Sequence, residues 1–110
     1  MKLLTILFLI IFSTSNAYSE RLQRTDPIAQ SDSFEQSVVL NRQLFEIFNK
    51  TGQVDKSVQD EIYLLLATEI INIYQLDPDD YTDREQIIRL VTEYILQSEE
   101  EARYQMQDAY

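Results

Sequence analysis

Apolar residues recur every three or four positions in three segments of the chain, which is the spacing of an amphipathic helix. The pattern predicts helices over residues 33–50, over residues 56–76, and from residue 83 to a point between residues 97 and 107. The second helix is apolar on more than one face, so we expect it to be central. The stripe residues are Phe34, Val38, Phe45 and Phe48, then Val58, Ile62, Leu65, Leu66, Ile70, Ile73 and Leu76, and finally Ile87, Leu90, Val91, Tyr94 and Ile95.

Capping and helix-breaking residues separate these segments. Gly52, the single glycine, follows the first predicted helix, where a left-handed residue is favoured. Asp55 precedes the second helix as an N-cap, and Pro78 cannot continue it. Capping boxes are predicted for the first and third helices. They pair Ser33 with Gln36 or Asp32 with Glu35, and Thr82 with Glu85.

The short connections favour antiparallel neighbours. We therefore predict an all-α, up-down-up three-helix bundle over residues 33–110. Beyond Ser98 the apolar stripe thins, so we expect the C-terminal turn to fray unless another element packs on it.

The N-terminus has the pattern of a secretory signal peptide. Lys2 is followed by an apolar stretch over residues 3–12, and small residues precede a predicted cut after Ala17. The stretch is shorter than the roughly 20 residues that span a bilayer, which favours a cleaved leader over a membrane anchor or a core helix. We expect a protein exported to the periplasm or the extracellular space. Residues 18–32 are polar and contain Pro27, which predicts a flexible N-terminal arm.

The composition excludes several chemistries. With no Cys and no His in 110 residues, the chain lacks disulfides, Cys/His metal sites and histidine-based triads. The net charge of −10 argues against a nucleic-acid partner and favours a basic protein partner. A bundle of this size has little room for a substrate cleft, so we predict neither catalysis nor a cofactor.

Leftover apolar residues predict a docking face for a partner protein. Three of them lie off the stripes, and two tyrosines flank the stripe of the second helix; tyrosine is enriched at interfaces. The predicted face consists of Tyr63, Leu64, Ile71, Tyr74 and Leu96. We expect an inhibitor, an immunity protein or a chaperone adaptor. The alternative is a structural protein that forms homo-oligomers through Leu64, Ile71 and Leu96.

A second alternative is weak divalent-cation binding by the acidic loop between the last two helices. Asp77, Asp79, Asp80 and Asp83 lie there, but the glycine and the closing glutamate of an EF-hand loop are missing. Roles in turns and caps are therefore favoured, and we assign no metal site.

Glu69 lies inside the apolar arc of the second helix. An unpaired buried carboxylate is costly, so Glu69 should be paired, neutral or at an edge. We expect a partly exposed or ion-paired residue, and the alternative role is a polar switch.

Overall fold

The computed structural model describes residues 26–108. This part of the chain contains three α-helices and no strand. Helix α1 spans Asp32–Thr51, α2 spans Lys56–Tyr74 and α3 spans Tyr81–Asp108. Each helix contacts the other two, which confirms the predicted all-α bundle. Across residues 26–108, no helix combines the length and the apolarity that a membrane span needs. The predicted leader and residues 18–25 of the predicted arm lie outside the described residues.

Both ends of α1 are capped. The hydroxyl of Ser31 accepts a hydrogen bond from the Phe34 amide at 3.1 Å and donates one to the Ile28 carbonyl at 2.7 Å. The N-cap of α1 is therefore Ser31, which precedes both predicted capping boxes. Its hydroxyl also links α1 to the preceding turn, which favours this residue as the cap. At the other end Gly52 has a φ of 72°, and its amide donates to the Phe48 carbonyl at 2.7 Å. This confirms the predicted glycine cap.

Helix α2 begins as predicted and ends earlier. The Asp55 carboxylate accepts hydrogen bonds from the amides of Ser57 and Val58, at 3.1 and 3.4 Å. At the C-terminus Gln75 adopts a left-handed conformation with a φ of 54°, so the helix stops at Tyr74. A side-chain pattern does not reveal a left-handed residue that is neither glycine nor asparagine.

Helix α3 is longer than the pattern predicts at both ends. It begins at Tyr81, because the carboxylate of Asp80 accepts a hydrogen bond from the Asp83 amide at 3.0 Å. The predicted cap Thr82 is therefore inside the helix. At the other end the helix continues to residue 108, and Ala102 is completely buried. The burial of Ala102 against the core shows that the last turns of α3 pack on the bundle, although few apolar residues lie beyond Ser98.

The core lies where the three stripes meet. Phe48 departs from its predicted place, since 50 % of it is exposed. Phe45 is only partly buried, and the Arg103 guanidinium lies 5.5 Å from the centre of its ring. The buried apolar residues of the helices are Phe34, Val38, Leu40, Leu44, Ile62, Leu66, Ala67, Ile70, Ile87, Val91, Tyr94 and Ala102.

The turn before α1 belongs to the core. Ile28 has no exposed surface, and its amide donates to the Asp26 carboxylate at 3.0 Å. The other oxygen of Asp26 accepts a hydrogen bond from the Tyr94 hydroxyl. The Tyr94 ring meets Phe34 edge to face, with 6.4 Å between the ring centres. The described end of the predicted arm is thus fastened to α1 and α3.

Replacing Ile28 by Ala should lower the free energy of unfolding by about 2–4 kcal/mol, because it empties a closed site in the core. Urea unfolding followed by circular dichroism measures the change. Val54→Ala is the matched control, since 52 % of Val54 is exposed, and it should cost less than about 0.5 kcal/mol. Equal stability of the two variants would show that the turn does not anchor the bundle.

Candidate functional site

Four of the five predicted docking residues present large exposed surfaces. Leu64 is 66 % exposed and Leu96 is 60 % exposed, while Tyr63 and Tyr74 are 43 % and 41 % exposed. Ile71 is half-buried and packs against the core cluster. Ile71 is therefore less accessible to a partner than the other four residues.

A groove brings Tyr63 of α2 beside Ile95 and Glu99 of α3. Its volume is about 230 Å³, its floor includes Leu44 and Ile62, and the carboxylates of Asp60 and Glu99 lie at its rim. We call it the tyrosine groove; it is lined by Asn41, Leu44, Gln59, Asp60, Ile62, Tyr63, Ile95 and Glu99. Leu64 and Leu96 are the residues that follow Tyr63 and Ile95 along their helices.

Tyr74 lies at the other end of α2, beside Tyr94. Burial raises the pKa of Tyr94, and the carboxylate of Asp26 and the hydroxyl of Tyr74 raise it further. Tyr63 and Tyr74 are eleven positions apart on α2, about 16 Å at the helical rise. The two tyrosines therefore mark the two ends of the predicted face.

Glu69 is half-buried, and its Oε2 accepts a hydrogen bond from the Ser33 hydroxyl at 3.2 Å. The Glu69 carboxylate is therefore hydrogen-bonded to the Ser33 hydroxyl of α1. This contact links the start of α1 to the second half of α2.

The acidic loop uses its carboxylates to hold its own backbone. Asp77 accepts a hydrogen bond from the Asp79 amide at 2.9 Å, and Asp83 accepts one from the Asp77 amide at 2.9 Å. The Arg84 guanidinium donates to the Pro78 carbonyl at 3.1 Å. Within residues 26–108, no group of three or more acidic side chains is placed to hold a metal ion.

Sequence reasoning missed a buried polar layer between α1 and α3. Ser37, Asn41 and Ser98 are each at most 1 % exposed. The Ser37 and Ser98 hydroxyls are 2.8 Å apart, and the Asn41 amide donates to the Ser98 hydroxyl at 2.8 Å. Ser37 also donates to the Phe34 carbonyl at 2.6 Å. The signal was the helical spacing of these polar residues between core positions, which predicts that they are buried.

Sequence reasoning also missed a cleft between the N-terminal turn, α1 and the last turns of α3. Its volume is about 400 Å³, and Glu101, only 6 % exposed, forms part of its wall. Burial raises the pKa of Glu101, while a hydrogen bond from the Gln105 amide at 3.1 Å lowers it less. We call this feature the Glu101 cleft. In the sequence Glu101 is one of three consecutive glutamates, and only the packing of α3 distinguishes it.

No protein-family model, curated protein or solved structure matches this chain. Its function is therefore inferred from the chemistry of its own surfaces.

Replacing Ser98 by Ala should cost about 1–3 kcal/mol of unfolding free energy, because it removes the hydroxyl that accepts from the buried Asn41 amide and bonds the Ser37 hydroxyl. Chemical unfolding measures the loss. Thr92→Ala, on the exposed side of α3, should change stability by less than about 0.5 kcal/mol. If Ser98→Ala were as mild as Thr92→Ala, the polar layer would not restrain the helix pair.

Glu101→Gln should stabilise the protein at pH 7 and make little difference at pH 3.5. The raised pKa means that the folded state binds the Glu101 proton more tightly than the unfolded chain does. In the unfolded chain the pKa of this carboxyl has its usual value of 4.5. Stability from this group is therefore complete below that value and declines as the pH rises through the folded-state pKa. Thermal unfolding of both proteins at the two pH values measures the difference. The exposed Glu93→Gln is the control, and an equal gain there would contradict the prediction.

Proposed function

We propose that this chain is an exported, non-catalytic protein that binds another protein through the face formed by Tyr63, Leu64, Tyr74 and Leu96, together with the less accessible Ile71. The observation that carries the proposal is the exposure of two leucines, Leu64 and Leu96, at 66 % and 60 %. A single exposed leucine is ordinary. Here the two leucines lie on α2 and α3, the helices whose Tyr63 and Ile95 line one groove, which favours an interaction surface.

Charge indicates the kind of partner. The chain has a net charge of −10, and the tyrosine groove carries Asp60 and Glu99 at its rim. An apolar anchor surrounded by basic side chains would fill the floor of the groove and neutralise its rim. Such complementarity accelerates encounter and disfavours acidic partners. An inhibitor, immunity protein or chaperone adaptor acting on a basic protein would work in this way.

Export is proposed from the leader-like residues 1–17, with the periplasm or the extracellular space as the destination. After cleavage the net charge becomes −11, because the leader contains Lys2 and no acidic residue. The mature chain would therefore keep the acidic surface that the docking proposal requires.

We also propose the up-down-up order of the helices, which presents α2 and α3 side by side. Contacts between α1 and α3 advance in the same order along both helices, as expected if these two helices run in the same direction. The α1–α3 pairs are Phe34 with Tyr94, Asn41 with Ser98, and Phe45 with Arg103. Ser33, near the start of α1, contacts Glu69 in the second half of α2, as expected if α2 runs in the opposite direction.

A photo-reactive amino acid at Tyr63 tests the docking proposal in the exported fraction of the native host. We expect one basic protein to be crosslinked from this position and none from the exposed position Gln43 on α1. Leu64→Glu or Leu96→Glu should weaken binding of that protein at least tenfold, because each places a charge in an apolar contact.

Gln43→Glu is the matched control, since it adds the same charge on α1, outside the proposed face. Circular dichroism should show equal helix content in all variants. Undiminished binding by both leucine variants would refute the proposal. Crosslinking of a second copy of this chain, together with a dimer in sedimentation that Leu64→Glu dissociates, would replace it with self-association.

A further inference from the structure

We propose that the Glu101 cleft binds an organic cation with a short apolar body, that is, an ammonium or guanidinium group on an alkyl stem. No residue of the proposed docking face lines this cleft, so the proposal goes beyond that function and does not depend on it. The cleft lies beside the N-terminal turn, while the docking face lies on α2 and α3.

The cleft has the size and the walls of a small-molecule site. Its volume of about 400 Å³ lies in the range of ligand pockets, roughly 300–1,000 Å³. Ala29 of the turn and Phe34, Val38 and Val39 of α1 supply apolar surface. An alkyl stem packed on these side chains would be removed from water. Burial of apolar surface is the usual source of affinity in such pockets.

Glu101 supplies the polar recognition. More than nine-tenths of the residue is buried, and its Oε1 accepts a hydrogen bond from Gln105, which also lines the cleft. Burial disfavours the ionised carboxylate. A cation in the cleft would restore the ionised form through a charge-assisted hydrogen bond, whereas an anion would be repelled.

The other charged groups of the cleft favour the same ligand class. Glu35 and Arg42, both on α1, line the cleft with Glu101 of α3. Once a bound cation ionises Glu101, the two carboxylates and one guanidinium carry one net negative charge, which the ligand neutralises. The Arg42 guanidinium competes with a cationic ligand for the carboxylates of the cleft. Arg42 should therefore weaken binding of the ligand rather than strengthen it.

An ammonium on an alkyl stem occurs both in free amines and in the lysine side chains of polypeptides. Titration of the ¹⁵N-labelled protein with n-butylamine hydrochloride, and separately with N-acetyl-lysine-N-methylamide, distinguishes these sources. We expect saturable shifts in the amide signals of residues 29–31, 101 and 105. The lysine derivative should bind at least tenfold more tightly if the natural ligand is a polypeptide, and no more tightly if it is a free amine.

Glu101→Gln should weaken binding of butylammonium at least tenfold, while Glu93→Gln, the same charge change on an exposed turn of α3, should leave it unchanged. Arg42→Gln should strengthen binding severalfold. Neutral n-butanol should not saturate the cleft. Shifts spread over the acidic surface, equal binding by Glu101→Gln, or loss of binding in Arg42→Gln would overturn the proposal.

Discussion

The buried hydrogen bonds between α1 and α3 are the constraint on which the other contacts depend. Ser37, Asn41 and Ser98 are removed from water, so each needs a partner, and only one alignment of the two helices supplies them. Apolar side chains tolerate sliding by a turn much better than buried polar groups do. The polar layer therefore specifies which turn of α3 faces which turn of α1.

Features on both sides of the layer follow from this alignment. On one side Tyr94 reaches Phe34 and the carboxylate of Asp26, which holds the N-terminal turn on the bundle. On the other side Glu101 lies against α1, where Val38 and Arg42 complete the cleft. The buried Ile28 then closes the core, and the following residues of the turn form the outer wall of the cleft.

The two proposed binding surfaces differ in physical character. The face on α2 and α3 is open, with leucines in water and carboxylates at the rim of its groove. Association there would be driven by apolar burial and steered by charge. The Glu101 cleft is smaller than a protein interface and contains a carboxylate already removed from water. Its preference would come from charge-assisted hydrogen bonding inside an apolar enclosure. The net negative charge of the chain favours basic ligands at both surfaces.

Local signals predicted the elements of this fold. Apolar spacing located three helices, and Gly52 and Asp55 marked two helix ends, because a left-handed glycine and an N-cap carboxylate act within a few residues of their own position. The exposure of Leu64 and Leu96 also follows from their place on the helical wheel. The choice of Ser31 and Asp80 as caps did not, because neighbouring serine, threonine and aspartate residues cap equally well in isolation.

Only tertiary packing decided the rest. Ile28 is buried because a tyrosine 66 positions later fastens its turn to α3. Glu99, Glu100 and Glu101 are chemically identical, and the rotation of α3 against α1 places the last of them inside the protein. The same rotation brings Ser98 to Ser37 and Asn41. A chain read residue by residue shows which side chains share a helix face; which face meets which depends on contacts between residues far apart in sequence.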